Sequence, residues 1–228
     1  MLPLAFLASL LLGVDVACGK NKECNLNAHI NEAHASWHYS HDMDPYGNNA
    51  THSPLPNVSP FNKISEAEIN KQINRELFAH YTYLSMAMHF NRDDINLPGF
   101  HKFFLESAEE EMKHAQKFMK YQNLRGGRVM LHHIMKPCEN HWGNGLDAMT
   151  HAYHLELEVY QALVDIHKKA SDDPQFQDFL DSEFLGEQVE SIKELSNYIN
   201  TLKRFSEQYY PLGEYQFDKV TLGGESKE

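Results

Sequence analysis

The sequence predicts an all-α fold: a four-helix bundle with one long crossover and a short fifth helix. Three observations predict it. From Ser65 onward the apolar residues recur at the three- and four-residue intervals of helices. Breakers are gathered at Leu97-Pro98-Gly99, Gly126-Gly127, Asp172-Asp173-Pro174 and Pro211, which divide the run into four long helices and one short one. The connection from Arg128 to Gly145 holds Pro137 and Gly143 and is long for a hairpin loop. A connection of that length can run the height of a bundle and leave the second and third helices parallel. Nothing strand-like competes for a large share of the chain.

Residues 1–19 come first, with an apolar run from Leu2 to Val14 that ends in the small residues Ala17 and Gly19. The run is too short to span a bilayer and resembles a secretory signal peptide cleaved near Gly19. Residues 20–62 are rich in Asn, His, Pro and Ser without sustained periodicity, and read as an irregular extension. Two glycosylation sequons lie there, at Asn49 and Asn57. The expected location is therefore outside the cell or in the secretory-pathway lumen, or the cytoplasm if the leader is not cleaved. His29, His34, His38, His41 and His52 also fall in the extension, where their irregular spacing favours a polar tail over a metal-scavenging arm. Cleavage would leave Cys24 and Cys138, either as a disulfide or as two free thiols.

The helical domain occupies residues 63–228. Ser65, followed by Glu66 and Glu68, makes a helix start, and Ile69, Ile73, Leu77, Tyr81, Leu84 and Met88 carry the pattern to about Asn91. The second helix runs from Pro98 to about Leu124, with Phe100, Phe103, Phe104, Ala108, Ala115 and Phe118 toward the core. The third spans Leu146 to Ala170 and the fourth Gln175 to Ser206, with Gly186 tolerated inside it. Leu212 to Leu222 forms the fifth.

With 228 residues, 42% of them apolar, the chain can bury one sizeable core. Its net charge of −12 argues against nucleic acid or an anionic membrane as partner and suits the handling of cations. The 15 histidines tilt the reading toward transition metals. Glu111 and His114 stand three apart on the second helix, about 60° apart on one face, where a carboxylate and an imidazole can reach one ion. Each other long helix offers a candidate: Glu76 and Tyr83 on the first, Glu156 on the third, Gln188 on the fourth. Acids placed among apolar neighbours call for a cation, because a buried carboxylate without one is costly. His80, one turn from Glu76, is a rival ligand about 40° away.

Several motifs together resemble an animal ferritin: Ile69-Asn70 with Gln72-Ile73-Asn74 and Glu76-Leu77, Tyr83-Leu84-Ser85-Met86, Glu110-Glu111 with His114-Ala115, Arg125-Gly126-Gly127-Arg128, Glu187-Gln188 and Phe217-Asp218-Lys219. The resemblance covers residues 63 to 224 and implies a ferritin-like bundle with a heavy-chain-like site. By it, Glu76, Glu111 and His114 hold a first iron, Glu111 bridges, Glu156 holds a second with Gln188 nearby, and Tyr83 hydrogen-bonds the cluster. It implies a ferroxidase that oxidises Fe(II) with O2 at a transient di-iron centre and stores a ferric iron mineral. It further implies a shell of 24 subunits, of one kind or mixed with a second subunit. Asp178 and Asp181, with His167 outside them, would line three-fold channels, and Leu212, Gln216 and Val220 the four-fold ones. Glu106, Glu109 and Glu110 would nucleate mineral, although Lys113 and Gln116 stand where heavy-type relatives carry acids. The chain departs from a symmetric di-iron protein at Val159, three residues after Glu156, where a second Glu-x-x-His would need His. The second iron is therefore expected to be held by fewer ligands.

Overall fold

The computed structural model describes residues 61–137 and 139–223. The leader, the extension with Asn49 and Asn57, and both Cys24 and Cys138 lie outside the described residues. Among the described residues six α-helices follow one another: α1 (Lys63–Phe90), α2 (Pro98–Leu124), α3 (Gly145–Lys169), α4 (Pro174–Leu180), α5 (Gly186–Leu202) and α6 (Tyr210–Gln216). A π-helical turn, Asp181–Leu185, joins α4 to α5, so the two make one long fourth rod of the bundle. A second π turn, Phe217–Thr221, extends α6. Among the described residues there is no strand, and no helix is long and apolar enough to cross a membrane.

The helix starts show how local chemistry sets the elements. Helix α1 begins at Lys63 rather than near Ser65, because the Asn62 side chain accepts from Ile64 N at 2.8 Å and caps it. Asn144 and Asp147 close a reciprocal capping box at the start of α3. Helix α2 opens on Pro98 with no side-chain cap from Leu97. The missing acceptor comes from the end of the chain, where Asp218 Oδ1 takes Phe100 N at 2.9 Å. Pro211 lies in the first turn of α6, so this helix starts at Tyr210, earlier than Leu212.

The crossover runs along α1 from its N-terminal end to its C-terminal end. Asn70 exchanges bonds with Arg128 O and Met130 N, Asn74 Nδ2 donates to His133 O at 3.2 Å, and Trp142 Nε1 donates to Ser85 Oγ at 3.1 Å. The chain thus returns to the end where α2 began, and α3 runs parallel to α2. Buried polar residues of α1 pin this irregular segment, which satisfies its backbone groups without a sheet.

The core holds Ile69, Ile73, Met86, Phe90, Phe100, Phe104, Phe118, Met149 and Leu163, all fully buried. Phe90 stacks on Phe100 and Phe104 with centroids 5.0 and 5.6 Å apart. On α1 the buried stripe is carried by Phe78, Ala79, Met86 and Phe90, while Tyr81 and Met88 are 45% and 47% exposed. Successive four-residue steps each add about 40°, so counting by fours walks off the true face.

Candidate metal centre

Glu76 on α1 and Glu111 and His114 on α2 are all buried, and one ligand atom from each lies within 4.8 Å of the others. The helices position them by spacing: Glu111 and His114 share a face of α2, and Glu76 faces them from α1 between the buried Ile73 and Ala79. Gln72, one turn before Glu76, donates Nε2 to Glu76 Oε1 at 2.7 Å and accepts from Arg75 at 3.1 Å through Oε1. Glu76 Oε2 and Glu111 Oε2 are buried with no hydrogen-bond partner among the described residues. His114 Nδ1 stands 3.5 Å from Glu111 Oε2, and His114 Nε2 stands 3.4 Å from Glu187 Oε2.

Across the bundle interior the arrangement differs. Glu156 on α3 accepts from the Tyr83 hydroxyl through Oε1 and from Gln188 Nε2 through Oε2, both in short contacts. Gln188 Nε2 also reaches Glu156 O at 3.1 Å. Both Glu156 oxygens are engaged, whereas Glu76 and Glu111 each keep a bare one. Tyr83 is fixed in turn by packing on Phe104, with centroids 6.1 Å apart.

The electrostatics are those of clustered, buried carboxyls. Burial pushes the Glu76 carboxyl well above the usual carboxylate range, and the adjacent Glu111 adds to the push. Glu111 is raised well above that range by burial and then by Glu156. Glu156 is raised by burial, with the Tyr83 and Gln188 hydrogen bonds opposing. The Tyr83 phenol is raised by burial and by Glu156. Three acids and an imidazole converge here, and hard carboxylate oxygens with one nitrogen suit iron.

His80 is settled as a structural residue, because its Nδ1 lies 2.6 Å from Ala108 O and ties α1 to α2. Val159, 1% exposed, belongs to the apolar core. Sequence reasoning missed Gln72 and the contact of Glu187 with His114. Gln72 was accessible as the residue one turn before an interior acid. Glu187 was not, since only the docking of α5 on α2 brings it near.

Glu106, Glu109 and Glu110 line a cavity of about 490 Å³ together with Glu111, His114, Glu156 and Gln188. These three acids open onto the same space as the buried cluster. Burial and the neighbouring Glu187 carboxylate raise Glu110. The structure brings His167 and Asp181 together, with Nε2 to Oδ1 at 3.3 Å. Asp178 is exposed and stands apart from that contact. Leu212, Gln216 and Val220 are exposed along α6 and the π turn after it.

Fold and site together define a four-helix bundle with a buried carboxylate–imidazole cluster inside it. Residues 66–205 match the family model for the ferritin-like domain. The chain is 58% identical over 164 residues to the soma ferritin of Lymnaea stagnalis, spanning 71% of this chain and 92% of that one. It is 53% identical over 163 residues to the middle subunit ferritin of Salmo salar, spanning 71% and 93% respectively. The chain belongs to the ferritin family.

Proposed function

We propose that this protein stores iron, oxidising Fe(II) with O2 inside the bundle and depositing Fe(III) as mineral within a shell of 24 subunits. The observation that carries the reading is the pair of bare, buried oxygens on Glu76 and Glu111 beside His114. A divalent ion there replaces the protons that burial otherwise forces onto the carboxyls. Glu76, Glu111 and His114 take the first Fe(II); Glu111 bridges to the second, which Glu156 holds with Gln188 nearby. Two Fe(II) ions give up two electrons, which with two protons bring one O2 to the level of hydrogen peroxide. Tyr83, donating to Glu156, keeps that carboxylate turned toward the second iron. Because Glu156 must share its oxygens with Tyr83 and Gln188, the second ion is held more weakly and its oxidised product leaves first. His167, Asp178 and Asp181 guide Fe(II) inward, because rings of negative carboxylates from neighbouring subunits attract the cation. Glu106, Glu109 and Glu110 receive Fe(III) at the mouth of the cavity.

Zn2+ tests this reading, since it takes the same ligands and carries no electron to give. Carboxyls held above their unfolded values favour the protonated state on folding; their contribution to stability is full at low pH and declines as pH rises through the raised values. Zn2+ must expel those protons, so calorimetry in buffers of different ionisation enthalpy should show proton release and affinity that rises with pH. The titration should resolve a tighter and a weaker class, and loading should block O2 consumption on Fe(II) addition. Undiminished oxidation by the zinc-loaded protein contradicts the reading.

We further propose that residues 1–19 direct the chain into the secretory pathway and that Asn49 and Asn57 are glycosylated, on the strength of the apolar leader and the paired sequons. Expressed in animal cells, the medium should hold particles whose subunit mass falls after glycosidase treatment. Particles found only in the cytosol, at the full unmodified mass, contradict it.

A further inference from the structure

A second cluster of metal-binding side chains lies at the far side of α3. His141, Asp147, His151 and His154 line one cavity of about 320 Å³ with Trp142 and Thr150. On α3, Asp147, His151 and His154 fall within an arc of about 60°, and Glu156 lies about 180° from Asp147. The cluster therefore opens on the face of the helix opposite the di-carboxylate centre and shares no ligand with it. We propose that His141, His151 and His154, with Asp147, bind a late first-row divalent cation of the Cu2+ or Zn2+ class.

Rigid backbone carries the four side chains. His89 Nε2 lies 3.0 Å from Gly143 O, and the Trp142 indole, 4% exposed, is tied to Ser85. These contacts hold the end of the crossover against α1. Gly143 has φ +66°, and a Cβ there would lie 2.4 Å from Asp147 Oδ2, so glycine lets the crossover close onto the first turn of α3. The Asn144–Asp147 box fixes that turn and uses Asp147 Oδ2 as acceptor from Asn144 N.

His141, His151 and His154 are exposed. The Trp142 and His151 rings meet edge to face with centroids 5.6 Å apart. Their donor atoms do not yet close on a point, since among the described residues only Glu76, Glu111 and His114 have ligand atoms mutually within 4.8 Å. His151 and His154, three apart on one helix, are neighbours at about 5–6 Å between Cβ atoms, so side-chain rotation can bring their rings to one ion. Arg92 lies 3.5 Å from His141 Nδ1 and is balanced by two bonds to Asp94. Three imidazoles with one carboxylate favour Cu2+ and Zn2+ over the all-oxygen preference of Mg2+ or Ca2+.

Trp142 reports on the site, because bound Cu2+ quenches an adjacent indole. In a Trp37→Phe background Trp142 is the single tryptophan, as the chain has 2. Adding Glu111→Ala and His114→Ala removes the intrabundle centre from competition. Cu2+ should then quench the fluorescence saturably, and excess Zn2+ should restore it. His151→Ala with His154→Ala should raise the quenching midpoint more than about tenfold. His151→Gln alone, a milder exposed change, should weaken quenching with an unchanged circular dichroism spectrum. Anomalous diffraction from Cu2+-soaked crystals should place the ion among the three rings. Equal quenching curves with and without the two histidines, as copper on other histidines would produce, overturn the proposal. An anomalous map empty at that cavity does the same.

Discussion

Replacing Glu111 and His114 together by alanine should lower the initial rate of Fe(II) oxidation by more than about a hundredfold while leaving the assembled particle intact. On the proposed function the two residues would supply a bridging carboxylate and an imidazole, two of the three groups whose ligand atoms cluster within 4.8 Å. Burial and Glu156 both disfavour the charged form of Glu111 in the metal-free protein. The measurements are stopped-flow absorbance with an oxygen electrode, and light scattering for the particle. Unchanged initial rates in the double variant would sink the enzyme reading and leave a non-catalytic storage subunit. Collapse of the particle would instead show that the pair is structural.

Gly99→Ala should destabilise the subunit by about 2–4 kcal/mol, although it adds a single methyl group. A Cβ at this position would lie 2.2 Å from Asp218 O and 2.8 Å from Asp218 Oδ1. The first contact is with backbone, which cannot swing aside, so the π turn after α6 must move away from α2. Moving it breaks the Asp218 cap on Phe100 N and opens the Phe100–Phe217 contact, whose centroids are 5.6 Å apart. Asp218 is fully buried, and once displaced its carboxylate loses the amide that justified its burial. Urea unfolding of the metal-free protein reads the loss directly. A change below about 0.5 kcal/mol would mean that the C-terminal turn is not anchored as described.

The helices were legible because their signals are local. Pro98 and Gly126 bound α2 where the chain places them, and the phenylalanine spacing from Phe100 to Phe118 marks its inner face. The parallel course of α2 and α3 was legible from the length of the crossover alone. The spacing on α1 left its buried face open, since two helical faces can both show apolar residues and only packing selects one: Phe78 and Met86 are buried, Tyr81 and Met88 exposed. The break of the fourth rod into α4, a π turn and α5 had no clear local mark beyond Gly186.

The candidate centre divides in the same way. Glu76, Glu111, His114, Glu156 and Gln188 stood out as polar residues in apolar stripes, a property of each helix taken alone. By itself the sequence determined the helices, the acids they carry inward and, at Val159, the absence of a second histidine. Only the tertiary structure decided which oxygens remain bare. It bound both Glu156 oxygens to Tyr83 and Gln188, left Glu76 and Glu111 each with one open, turned His80 onto a backbone carbonyl and brought Glu187 to His114. The reason is physical: helical periodicity fixes directions about one axis, whereas a hydrogen bond between helices depends on their relative rotation and height. Those are set by the packing of Phe90, Phe100 and Phe104 and by the crossover pinned along α1.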